Sequence, residues 1–130
     1  MNRVAVDTNI IVRLFVEDDP IQTKKAATLL TQNHILISTS VILETAWVLG
    51  KIYAFSSDQI AASLRKLSSI KTVEISDDLA FGTFLKMVDD GMDIADAVHL
   101  ASAGDADWFA TFDKEFVKAA KGAALHVRHP

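Results

Sequence analysis

The sequence predicts an α/β fold in which a central parallel sheet of four to five strands is covered by helices. Three observations lead there. Short apolar runs alternate with helical segments along the whole chain, which is the pattern of right-handed strand–helix–strand crossovers. The run opened by Arg3-Val4-Ala5-Val6 lacks the alternation of a half-exposed strand and reads as a buried parallel strand. The chain has 130 residues, half of them hydrophobic and 23% charged, which is globular composition and enough to bury a core without covalent staples.

Taken in order, the first strand covers about residues 3 to 6, and Thr8 to Phe15 follows as a short helix. Asp19 is placed to cap, and Pro20 to open, a second helix running to about Gln32. Its Ala26, Leu29 and Leu30 face inward and its Lys24, Lys25 and Thr28 outward. Ile35 to Ser38 is a second strand, after which Ser40 can cap a third helix from Val41 to about Gly50. Ser56-Ser57-Asp58-Gln59 has capping-box spacing and starts a fourth helix through about Leu67. Lys71 to Ile75 is a third strand. Asp77-Asp78 opens a fifth helix that carries Leu79, Phe81, Phe84, Leu85 and Val88 to a stop at Gly91. Ile94 to about Ala103 is a sixth helix, Trp108 to Phe112 a fourth strand, Lys114 to Lys121 a last helix and Ala124 to Val127 a candidate fifth strand. With no repeat, low-complexity tract or linker in between, residues 1–130 are expected to form a single domain.

Composition narrows the chemistry. The chain has no cysteine, so any metal must be held by oxygen or imidazole, which favours hard cations such as magnesium or manganese. No stretch reaches membrane-spanning length, and the apolar opening is interrupted too early by Asp7 to act as a signal peptide. A cytoplasmic location is expected. The formal charge of −4 argues against a nucleic-acid binder that relies on a globally basic surface.

Four acids stand where core or strand exits are expected: Asp7, Glu44, Asp96 and Asp113. Asp7, Asp96 and Asp113 each have a simple alternative role, because short acids at strand-to-helix junctions cap helices or complement their dipoles. Asp7 is placed to cap the first helix, Asp93 the sixth and Asp113 the last, while Asp96 complements a helix dipole. Glu44 is different, since it is the one charge amid Val, Ile, Leu, Trp and Ala and has no helix-end role. Asp7 follows the first strand and Asp113 the fourth, so a shared parallel sheet would place both at its carboxyl edge, with Asp93 and Asp96 on one helix face across it. Several carboxylates so gathered raise one another's pKa unless a cation lies among them.

A carboxylate-held cation without a phosphate-cradling glycine loop points to phosphodiester hydrolysis by a metal-activated water. The chain contains neither G-x-x-x-x-G-K-[ST] nor G-x-G-x-x-G. His34, His126 and His129 stand alone, and His99, one turn beyond Asp96, reads as a packing or hydrogen-bonding residue.

Val6-Asp7-Thr8-Asn9, the lone Glu44, Asp93-Ile94-Ala95-Asp96-Ala97-Val98-His99-Leu100-Ala101 and Ala110-Thr111-Phe112-Asp113 together resemble the PIN domain, with size and spacing most similar to the VapC-like toxins of bacterial toxin–antitoxin modules. The resemblance implies a three-layer α/β/α sandwich and a magnesium- or manganese-dependent endoribonuclease. It assigns Asp7, Glu44, Asp96 and Asp113 to an acidic quartet. Asp7 and Asp96 would be the main metal ligands, Asp113 a direct or water-mediated one, and Glu44 a second ligand or a group orienting the attacking water. Asn9 and Thr111 would steady the cluster, and Asp93 would be an additional acid. RNA as substrate, a cognate antitoxin as partner and a homodimer are implied as well.

Arg13, Lys24, Lys25, Arg65, Lys66, Lys114 and Lys118 are candidates for a phosphate-contacting rim, although a solvated surface accounts for most such residues. Leu14, Phe15 and Trp47 offer apolar surface for a dimer or antitoxin, with core burial as the default for all three. An arginine or lysine from an antitoxin, inserted among the carboxylates, would inhibit by replacing the metal charge. Two other readings stand beside the nuclease. One is a non-catalytic binding module of the same fold, in which the acids are caps. The other is a phosphatase with Asp7 as nucleophile, which would want a second acid where Asn9 stands.

Overall fold

A computed structural model describes residues 1–130. The chain divides into two compact units, Met1–Asp77 and Asp78–Pro130, and is a mixed α/β fold with seven helices and parallel strands.

The first unit contains β1 (Arg3–Ala5), α1 (Thr8–Phe15), α2 (Pro20–Gln32), β2 (His34–Ile37), α3 (Thr39–Lys51), α4 (Ser57–Ser68) and β3 (Val73–Ile75). Its sheet has the order β1-β2-β3, with Val4 opposite Ile35 and Ile35 opposite Val73. Because every pairing is parallel, all three strands leave the sheet at one edge, where Asp7, Ser38 and Ser76 begin the next segments. Ile35 and Ile37 share one face of β2 and are buried, as are Ile11, Val12, Ile42, Leu49, Leu64 and Leu67 of the helices. Alternation along a strand sends Arg3 and Glu74 the other way. Both are exposed and paired at 3.0 Å.

Local chemistry explains most helix starts. The Asp19 carboxylate accepts a hydrogen bond from the Gln22 amide at 3.0 Å, with Pro20 as the first helical residue. Ser56 and Gln59 form a reciprocal capping box at α4. The third helix departs from expectation: Ser38, not Ser40, is its cap, accepting from the Val41 amide at 3.3 Å. Since β2 ends at Ile37, Ser38 is the first residue free to take the extended cap conformation, and the helix begins two residues earlier than its apolar pattern suggests.

The second unit contains α5 (Phe81–Asp89), α6 (Ile94–Ala101), β4 (Phe109–Ala110), α7 (Lys114–Ala119) and β5 (Val127–Arg128). Phe84, Leu85, Val88, Ala97, Val98 and Leu100 make its core where α5 and α6 pack together. The fifth helix starts at Phe81 rather than at Asp77-Asp78, because those acids lie in a turn and the Ala80 amide is held by the Ala101 carbonyl at 3.0 Å. It ends as expected at Gly91, whose φ of 99° closes a Schellman turn. In that turn the Met92 amide donates to the Met87 carbonyl, and the Gly91 amide to that of Val88.

The sheet differs from the expected four or five continuous strands. Three strands form one sheet, while β4 and β5 form a separate parallel pair. The run from Trp108 to Phe112 contributes only two residues of strand, because a β run shows in sequence through its own pattern whereas its pairing partner does not.

One buried group is left without a partner: the Thr45 hydroxyl, in a residue with no exposed surface. An unsatisfied buried hydroxyl costs about 1–3 kcal/mol, and valine has nearly the same shape. Thr45→Val is therefore expected to raise stability by about 1 kcal/mol, read as a shift of the urea midpoint to higher concentration.

Candidate active site

Asp7, Asn9 and Glu44 belong to the first unit, and Asp93, Asp96, Thr111 and Asp113 to the second. In the first, Asp7 leaves β1 in an extended conformation (φ −94°, ψ 179°) at the N-cap of α1, yet its side chain makes no capping hydrogen bond. The simplest structural role for this acid is thus not used. The following residue, Thr8, is only 5% exposed and donates its hydroxyl to Glu44 Oε1. Glu44 itself is exposed, so the penalty foreseen for a buried lone glutamate does not arise. Its place in an apolar helix is met by one hydrogen bond and solvent.

The Val6-Asp7-Thr8-Asn9 motif gives Thr8 no role of its own. Its signal lies in spacing: Thr8, Ile11 and Val12 share a helix face at i, i+3 and i+4, so the hydroxyl is carried inward with the apolar pair. Asn9 is exposed, and no hydrogen bond joins it to these acids.

In the second unit, Asp93 and Asp113 do cap helices. The Asp93 Oδ2 accepts from the Asp96 amide at 3.1 Å. The Asp113 Oδ1 accepts from the amides of Glu115 at 2.9 Å and Phe116 at 3.2 Å. The Thr111 hydroxyl in turn accepts from the Asp113 amide at 3.0 Å and fixes the approach to that cap. Each cap uses one carboxylate oxygen and leaves the other unbonded.

Asp96 caps nothing. Burial pushes its carboxyl above the ordinary value of 3.8, the nearby Asp93 and Asp113 carboxylates push it further the same way, and His99 opposes them. These three acids are therefore electrostatic neighbours.

No three Asp, Glu or His side chains are close enough together to hold a metal ion, and like charges around Asp96 resist closer approach. The chemistry of the donors nevertheless suits a hard divalent cation. All are carboxylates, the chain has no thiol, and a cation would relieve the repulsion that, added to burial, raises the Asp96 pKa.

Arg13, expected on a phosphate rim, is committed elsewhere: its guanidinium pairs with Asp18 and donates to Gln22 at 2.8 Å. Lys114 and Lys118 are exposed on α7. Of the three apolar candidates, Trp47 overturns the default of burial at 57% exposed. Leu14 and Phe15 are half-buried and line a cleft of about 500 Å³ with Leu30, Leu67 and Ile70. No helix is long and apolar enough to cross a membrane.

A family model for the PIN domain matches residues 4–122. The chain belongs to the PIN-domain family, a superfamily of nucleases. No curated protein matches it significantly.

The raised Asp96 pKa sets a pH dependence. A carboxyl whose pKa is raised by folding favours the folded state when protonated; that contribution is complete below 3.8 and is lost as pH rises through the folded value. Asp96→Asn, neutral throughout, is expected to have the higher urea midpoint at pH 7, with the two midpoints converging by about pH 3.

Proposed function

We propose that this chain is a metal-dependent endoribonuclease that hydrolyses RNA phosphodiesters, and that it serves in the cytoplasm as the toxin of a toxin–antitoxin pair. The observation that carries this reading is Asp7: an acid at the exit of the first strand of a PIN-family chain, at a cap position, whose carboxylate caps nothing. In this reading residues 1–130 work as one domain. Asp7 and Asp96 are the main ligands of Mg2+ or Mn2+, Asp113 contributes its uncapped oxygen directly or through water, and Glu44 is a further ligand or orients the attacking water. When bound, the ion lowers the pKa of water and offsets charge on the phosphate.

The remaining roles fall to the chain's own groups. Thr8 holds Glu44 through its hydroxyl. Thr111 and the amides of Glu115 and Phe116 hold Asp113. Asp93 fixes the start of α6, and with it Asp96, while Asn9 lends a polar group beside Asp7. Exposed Trp47 and Ile52, 57% and 62% accessible, offer apolar surface to a second copy or an antitoxin.

The second reading, a non-catalytic binding module, draws on the real capping bonds of Asp93 and Asp113. Asp7 separates the two. Replacing a working cap by alanine costs about 1 kcal/mol, whereas Asp7→Ala is expected to leave stability within about 0.5 kcal/mol of the parent. With single-stranded RNA and tRNA as substrates, the parent is expected to cut with Mg2+ or Mn2+ and not with EDTA. Asp7→Ala and Asp96→Asn should lower the rate more than about a hundredfold. No metal-dependent cutting of any RNA would give the binding module first place, and equal cutting by parent and variants would remove Asp7 and Asp96 from the catalytic role.

A further inference from the structure

Resting on the nuclease reading above, we propose that Phe112 is a substrate-positioning residue that stacks on an unpaired nucleobase next to the phosphate to be cut. Phe112 is 82% exposed, the most exposed of the large hydrophobic residues in the chain, and it immediately precedes Asp113. Its ring contacts no other ring and no cation. The other aromatics of this region are engaged: Phe109 lies 5.2 Å from Phe116, and the Arg128 guanidinium covers Trp108 at 4.1 Å.

The backbone beside Phe112 is tied on both sides. The Thr111 amide donates to the Arg128 carbonyl at 3.1 Å, and the Asp113 amide donates to the Thr111 hydroxyl at 3.0 Å. The ring is thus displayed on an anchored turn rather than on a free loop, so little conformational entropy is lost when it is covered.

Charge selects the occupant. The chain carries −4 overall, yet residues 108–130 hold Lys114, Lys118, Lys121 and Arg128 against only Asp113 and Glu115. The three lysines are exposed and make no ion pair. A bare aromatic face on a stretch of chain that also carries unpaired cations matches single-stranded RNA, which presents flat bases and phosphates in alternation.

The test is binding of a 3′-fluorescein single-stranded RNA in EDTA, followed by anisotropy, so that affinity is read without cleavage. Phe112→Ala is expected to weaken binding about tenfold, with Phe112→Tyr and Phe112→Trp restoring it. In a series of oligonucleotides with one abasic position each, one member should bind the parent as weakly as intact RNA binds Phe112→Ala. That member should lose nothing further in the variant. With Mg2+, KM should rise in Phe112→Ala more than kcat falls. Unchanged affinity, an equal loss across every abasic oligonucleotide, or a change in oligomeric state by gel filtration would overturn the proposal, the last by assigning the ring to a protein interface. No RNA binding by the parent would overturn it too. Phe112-dependent binding without metal-dependent cleavage would sustain the proposal while removing the nuclease reading.

Discussion

Parallel pairing of β1, β2 and β3 is the constraint from which the first unit follows. Parallel neighbours cannot be joined by a tight turn, so each strand must be followed by a crossover that returns the chain to its starting edge. Strand exits therefore collect on one side of the sheet. Helices α1 and α3 both begin at that edge, one after Asp7 and the other after Ser38. This common origin lets Thr8, in the first turn of α1, reach Glu44, in the second turn of α3, although 36 positions separate them in sequence. A lone acid in an apolar helix is thereby given a defined orientation by backbone topology.

Capping and ligand binding are often set against each other as roles for an aspartate, but a carboxylate has two oxygens. Asp113 accepts the amides of Glu115 and Phe116 at Oδ1 alone, and Asp93 caps through Oδ2 alone. The helix bonds hold each side chain in one rotamer, and the second oxygen stays available. Asp96 makes no such bond, and its neighbours raise the energy of its charged form. An acid held among like charges is poised to gain from a cation, whereas a cap alone gains nothing from such neighbours.

The positive side chains are spread unevenly as well. Arg13 is absorbed by Asp18 and Gln22, and Arg3 by Glu74. Much of the remaining basic surface in the second unit belongs to residues 108–130, the stretch that also holds Thr111, Phe112 and Asp113. An acidic chain can therefore still present a local basic face, because short-range fields in 0.15 M salt extend only about 8 Å.

Much of the architecture is legible in the sequence alone, and the reason is local. Asp19-Pro20, the Ser56 to Gln59 box and the stop at Gly91 act within a single helical turn, so their chemistry is written in adjacent residues. Alternating apolar and amphipathic runs likewise settle the α/β class, since periodicity follows from which face a segment buries. Tertiary structure decided what depends on partners distant in sequence. It moved the α3 cap to Ser38, split the strands into sheets of three and two, placed Trp47 and Phe112 in solvent and joined Thr8 to Glu44. It also separated the acids by use, with Asp93 and Asp113 bonded as caps and Asp7 left uncommitted at the same kind of position. Sequence could place an acid at the exits of the first and fourth strands. Whether its carboxylate turns back onto the helix or outward depends on the backbone dihedrals and neighbouring charges that only the folded chain supplies.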